Sequence, residues 1–119
     1  MIQGTEELAA RGLHLLIDGL AVEPLDTARV WRFLVDCPEE IGMTIISGPD
    51  LYVTSSAWCA IVVIAESHIS VHVNGPEVHV DIFSCKPFET ETAAKLAKAR
   101  LGLEPMRVAV IERGWSVSG

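Results

Sequence analysis

The 119 residues, half of them apolar, suffice for one compact core and not for two. Nine basic against 16 acidic residues give a formal charge of -7, too little positive charge for a phosphate-tracking groove or a basic membrane-surface patch, so neither nucleic acid nor membrane is an expected partner. Mean hydropathy is +0.36, yet no run approaches the roughly 18 apolar residues of a spanning helix, and the excess points to a buried sheet or a subunit interface.

The first residues lack a basic start followed by an apolar core, so no export signal is expected. Cys37, Cys59 and Cys85 form neither an even set nor a CxxC pair, which fits a reducing compartment and a cytoplasmic protein. No repeat or linker interrupts the chain, so residues 1–119 read as a single domain.

Leu13 to Leu20 reads as a first strand. From Asp26 the apolar residues Val30, Phe33, Leu34, Cys37 and Ile41 recur at spacings of three and four, the pattern of an amphipathic helix capped near Asp26 or Thr27 and ended or kinked by Pro38. Met43 to Ser47 and Ala57 to Ala65 read as strands, the second carrying the run IVVIA expected of a strand buried on both faces. Ser67 to Val73 alternates with a period of two, so His68, Ser70 and His72 share one face and Ile69, Val71 and Val73 the other.

Asn74-Gly75 is the preferred dipeptide of a two-residue type I′ hairpin, with Glu77 to Cys85 as the return strand. Such a turn sets His72 opposite Glu77, Ser70 opposite His79 and His68 opposite Asp81. Phe83 and Cys85 join this polar face by parity. Thr90 to Leu101 reads as a second helix, with Thr90 as N-cap and Gly102 as stop, and Met106 to Ile111 as a last strand. The fold class is an α+β two-layer sandwich, an antiparallel sheet with helices on one face, whose other face is left for a second subunit.

The polar row of His68, Ser70, His72, Glu77, His79 and Asp81 admits several readings. It is a solvated sheet face, a zinc site using His68, His72, His79 and Cys85, or a Cys–His pair of Cys85 with His72 or His79. No standard zinc-ligand spacing is present, and no metal is expected. Cys37 and Cys59 fall in helix and strand patterns that suit small buried hydrophobes.

Ile61 to His72, IVVIAESHISVH, followed by VDIFSC at Val80 to Cys85, resembles the self-processing site of the bacterial and archaeal type of S-adenosylmethionine decarboxylase. The likeness runs from HLLID at His14 to Asp18 through the last strand. It implies a pyruvoyl-dependent decarboxylase of polyamine biosynthesis, with αββα layers formed by a homodimer. By this resemblance the Ser67 hydroxyl is expected to attack the carbonyl of Glu66 and the peptide to rearrange to an ester, and His72 matches the residue that takes the α-proton for β-elimination. The chain then divides into 1–66 and 67–119. The resemblance makes the cofactor the covalent pyruvoyl group left at Ser67, which forms a Schiff base with a substrate amine and acts as an electron sink. Cys85 matches the proton donor to the substrate carbon.

Three departures accompany the likeness. Cys59 stands where the family usually has a serine that helps processing, and Val53, with Tyr52 beside it, where an aromatic residue stacks on adenine. The H-T-W-P-E loop is replaced by His72 to Glu77, and the stretch to Cys85 is two residues shorter; the even loss keeps parity, so Cys85 is expected to face His72. Val53, Tyr52, His68, Glu77 and Asp81 are the substrate-pocket candidates, with Glu7 and Asp18 as further contacts. L-Ornithine or L-arginine, held by Glu77 or Asp81, is the alternative substrate to S-adenosylmethionine. An uncleaved, non-catalytic regulatory member is the alternative role, raised by Cys59.

Overall fold

A computed structural model describes residues 12–114. In chain order it contains β1 (Gly12–Ala21), α1 (Thr27–Glu40), β2 (Ile45–Val53), β3 (Trp58–Ile64), β4 (Ser67–Asn74), β5 (Glu77–Ser84), α2 (Thr90–Leu101) and β6 (Leu103–Arg113). The strands form one antiparallel sheet ordered β2-β3-β4-β5-β1-β6. β2 to β5 form a meander of consecutive strands, while β1 lies between β5 and β6.

The helices pack on each other and on one sheet face, as the sequence patterns predict. In α1 the stripe Val30, Phe33, Leu34 and Cys37 is buried, and the Asp26 carboxylate caps the helix by accepting from the Arg29 N–H at 2.8 Å. Pro38 does not end this helix. It sits in the last turn, where its missing N–H forfeits a single intrahelical bond and its ring is buried; the stop comes at Gly42, whose φ is +78°. In α2, Glu89 rather than Thr90 holds the N-cap position, without a side-chain bond, and Gly102 ends the helix in the left-handed conformation, as expected.

Leu15, Ile17, Val62, Ile64, Ile69, Val71, Val80 and Ile82 project from the sheet toward Phe33, Leu34, Ala97 and Leu101, forming one core between the layers. Each fully buried side chain of this size stabilises the fold by about 1.5–3 kcal/mol relative to exposure. IVVIA is buried on the helix side only: Val62 and Ile64 are covered, whereas Val63 on the other side is 39% exposed. β2 runs farther than Met43 to Ser47 because it continues through a register irregularity between Ser47 and Asp50 that simple alternation conceals.

The β4–β5 hairpin turns one residue later than Asn74-Gly75. Asn74 pairs with Glu77, so Gly75-Pro76 is the loop, and the register becomes His72 with His79, Ser70 with Asp81 and His68 with Phe83. A type I′ turn at Asn74-Gly75 needs positive φ at both residues, but only Gly75 has it, at +62°. Proline fixes φ near -65°, so Gly75-Pro76 suits a turn with positive φ at its first central residue alone. The pairing shifts by two, which preserves every face assignment.

The face away from the helices carries a lattice of side chains in register. One row crosses all six strands as Tyr52, Cys59, His72, His79, Asp18 and Arg107. The next inward contains Asp50, Ile61, Ser70, Asp81, Leu16 and Ala109, and the one beyond contains Val63, His68, Phe83, His14 and Ile111. All four histidines of the chain therefore lie on this open face.

Candidate active site

The chemically interesting side chains fall into two groups at opposite ends of β4. At its start, Ile64 pairs with Ser67, leaving Ala65-Glu66 as a two-residue turn. Glu66 adopts φ of +62°, the single non-glycine residue with positive φ among the described residues. Positive φ at only the second turn residue is the type II pattern, whose twist opposes that of the flanking strands. The left-handed conformation costs an L-residue about 1–2 kcal/mol, and here it falls on the residue whose carbonyl precedes Ser67.

Ser67 is largely buried, and its Oγ accepts a hydrogen bond from the Cys85 backbone N–H at 3.1 Å. Ser84, directly across from Ser67, is fully buried; its hydroxyl lies 3.8 Å from the Met43 sulfur and accepts from the Lys86 N–H at 3.0 Å. Cys85 itself is exposed just past β5. On the adjoining open face, His14 packs edge-on against Phe83 with centroids 6.2 Å apart, and its Nε2 is 2.9 Å from Asp81. Arg113 donates to His14 Nδ1 at 3.3 Å, which leaves the ring proton on Nε2 for Asp81; the guanidinium also stacks over Phe83 at 5.4 Å.

At the other end of β4, Cys59 faces His72 across the β3–β4 ladder, and the His72 and His79 ring centroids are 6.2 Å apart. Asp18 Oδ1 bonds His79 Nδ1 at 2.7 Å, with Glu77 3.7 Å from the opposite ring nitrogen and Arg107 3.7 Å from the second Asp18 oxygen. The hydrogen bond that His79 Nδ1–H donates to the Asp18 carboxylate raises the His79 pKa above its usual value; slight burial opposes this, while the charges of Asp18 and Glu77 reinforce it. Asp18, Glu77, His79 and Arg107 line a cleft of about 420 Å³.

Two expectations change here. Cys85 does not face His72 within one chain: His72 opposes His79, while Cys85 belongs to the Ser67 end. Val53 pairs with Trp58 on the helix side of the sheet, 73% exposed, so Tyr52 rather than Val53 places a ring beside Cys59 on the open face. Within one chain the four residues of the zinc reading do not gather: His72 and His79 stand at one end of the β4–β5 hairpin, and His68 and Cys85 at the other. Glu7 lies outside the described residues.

The S-adenosylmethionine decarboxylase family profile matches residues 13–114, the whole span of the sheet and both helices. The chain belongs to this family. The crystal structure of the adenosylmethionine decarboxylase from Aquifex aeolicus VF5 is similar, at 25% identity and a TM-score of 0.73 over 91% of this chain and 94% of that one. No curated protein sequence matches. This chain shares that α+β architecture, a single antiparallel sheet with helices on one face.

In this decarboxylase-family chain, His14 and its bond to Asp81 escaped the sequence reading, as did Arg113. The signal available was the alternation of His14, Leu16 and Asp18, which puts His14 and Asp18 on one face. Their partners depend on β1 inserting beside β5, a pairing that neighbouring strands in the chain do not announce. No helix among the described residues is long and apolar enough to cross a membrane.

Proposed function

We propose that this protein is a self-processing, pyruvoyl-dependent S-adenosylmethionine decarboxylase of polyamine biosynthesis, acting in the cytoplasm as a homodimer. The observation that carries the reading is the Glu66–Ser67 junction, where a left-handed Glu66 stands before a serine whose Oγ is held by the Cys85 N–H. An N–H donor on Oγ holds the hydroxyl in one orientation at the head of β4. The conformational cost at Glu66 favours any step that opens the turn.

In processing, Ser67 Oγ bonds to the Glu66 carbonyl carbon and the C–N bond breaks, giving an ester and a free Ser67 amine. His72 then takes the Cα proton, the Cβ–Oγ bond breaks, and Oγ departs within the new carboxylate of Glu66. Hydrolysis of the resulting enamine releases ammonia and leaves the pyruvoyl group on residues 67–119. The residues present fit such a group: Ser67 heads a strand anchored on both sides, with the Cys85 thiol next to it as proton donor. When formed, the group supplies a carbonyl that withdraws electrons from a bound amino acid.

Within one chain His72 cannot perform this step. Five residues of extended strand separate it from Ser67, about 16 Å, and the antiparallel ladder keeps the distance fixed. This separation supports a two-fold pairing of open faces, with the Cys59–His72 end of one protomer over the Glu66–Ser67–Cys85 end of the other. The αββα layering follows, with two composite sites per dimer.

Tyr52 favours S-adenosylmethionine, because an aromatic ring on the open face can stack on a purine for about 1 kcal/mol beyond its buried area. His68 and Asp81 flank the Ser67 end of the same surface. L-Ornithine or L-arginine is the second reading, favoured by the Asp18 and Glu77 carboxylates in the 420 Å³ cleft. An intact-mass spectrum should show fragments divided between Glu66 and Ser67, the second without a free amine. Release of carbon dioxide from each of the three substrates then assigns the activity. An uncleaved chain after long incubation would refute self-processing and favour the regulatory alternative that Cys59 raises.

A further inference from the structure

The three thiols occupy different environments. Cys37 is buried in the core, where burial, aided by the charge of Glu40, pushes its pKa up to about 12 and leaves it inert. Cys59 is half-buried on the open face, and Cys85 is exposed beside Ser67. Within a chain the last two stand at opposite ends of β4, about 20 Å apart along the strand, whereas a disulfide tolerates Cα atoms no more than about 7 Å apart.

The composite site alters that relation. Cys59 is directly opposite His72 on β3, and such strand pairs hold their Cα atoms about 4.5–5.5 Å apart. Cys85 is tied through its own N–H to Ser67. A dimer that brings His72 of one protomer to Ser67 of the other also brings Cys59 into the same neighbourhood as Cys85 of the partner subunit. Both thiols then line one site, from opposite subunits, while Cys37 stays in the core.

We propose that Cys59 of one protomer and Cys85 of the partner subunit form a reversible intersubunit disulfide that gates the site by redox state. The inference rests on the two-fold arrangement put forward under Proposed function. With oxidised glutathione as oxidant, one protein thiolate attacks a glutathione sulfur, expelling one glutathione thiolate and leaving a mixed disulfide. The second protein thiolate attacks the protein sulfur and expels the other. Two protein thiols are oxidised and two glutathione molecules are produced for each bridge, and the symmetry allows two bridges per dimer. The bridge removes the Cys85 thiol from proton transfer and fastens the two faces together. A serine at position 59 could not do this.

The test uses the full chain carrying Ser67→Ala, which keeps each protomer in one piece so that bridges between and within chains differ in mass. Sedimentation velocity first establishes whether the protein is dimeric. The chain is then treated with oxidised glutathione and weighed under denaturing, non-reducing conditions. The expected result is a shift from the single-chain mass to twice that mass, reversed by dithiothreitol. Adding Cys59→Ser or Cys85→Ser should abolish the shift, and adding Cys37→Ser should leave it intact.

A dimer that does not crosslink overturns the disulfide while sparing the composite site, and a monomer overturns both. A single-chain mass with two thiols lost, or a crosslink that survives Cys59→Ser, also refutes the proposed pairing.

Discussion

Replacing Glu66 isolates the contribution of turn strain to self-cleavage. Glu66→Ala removes the side chain but keeps a Cβ at φ of +62°, whereas Glu66→Gly removes the steric penalty as well. The penalty is about 1–2 kcal/mol in the folded chain, and glycine gives back about 0.5–1 kcal/mol through its freer unfolded state. In a Ser67→Ala background, Glu66→Gly should thus exceed Glu66→Ala in stability by roughly 0.5–1 kcal/mol, read from the midpoints of denaturant unfolding curves of equal slope. With Ser67 present, release of about 1 kcal/mol of strain on the way to the transition state makes the glycine variant cleave about fivefold more slowly than the alanine variant. Cleavage is followed by intact mass over time. Equal stabilities, or a glycine variant that cleaves as fast as the alanine variant, would refute the claim that the turn stores strain for processing.

Ser67→Ala should abolish cleavage and decarboxylation together, checked by intact mass and carbon dioxide release. Cys85→Ala should still cleave, because the N–H that holds Ser67 Oγ remains, but turnover should fall at least tenfold with abortive loss of the pyruvoyl group. Asp18→Asn should lower the His79 pKa toward its ordinary value near 6.5 in an NMR titration. Because folding raises the His79 pKa, the Asp18 pairing contributes its full stability below pH 6.5 and loses it as pH rises through the folded value, so Asp18→Asn should flatten that dependence. Gly12→Ala places a Cβ 2.7 Å from the Ser84 carbonyl oxygen, a backbone atom, and should destabilise the fold by about 1–3 kcal/mol, measured by thermal unfolding.

The two-layer fold was legible because its patterns are local. Val30, Phe33, Leu34 and Cys37 announce a helix face, and Ile69, Val71 and Val73 a strand face, without reference to anything distant. Parity correctly put His68, Ser70 and His72 opposite the core, and it survived the hairpin shift because the register moved by two. Parity identifies a face, however, and not a position along it, so His72 and Cys85 were assigned to one place although the hairpin keeps them at opposite ends. Parity does separate Tyr52 from Val53: adjacent in the chain and both pocket candidates, they fall on opposite sides of the pleat. The bonds of His14 to Asp81 and of His79 to Asp18 require β1 beside β5, a long-range pairing that no local spacing encodes.

The strand order would give the proposed cleavage between Glu66 and Ser67 an unusual topological outcome. Residues 1–66 retain β1, β2 and β3, and residues 67–119 retain β4, β5 and β6, but β1 lies between β5 and β6. The two products interlock like the fingers of clasped hands, joined along β3–β4, β5–β1 and β1–β6, and α1 of one rests against α2 of the other. Each product keeps only a two-stranded piece of sheet, β2–β3 in one and β4–β5 in the other, which is marginal alone, and the core between the layers is built from both. Separating the fragments is then the same event as unfolding, so the cut protein should melt in one cooperative transition and its two pieces should remain equimolar for as long as it is folded.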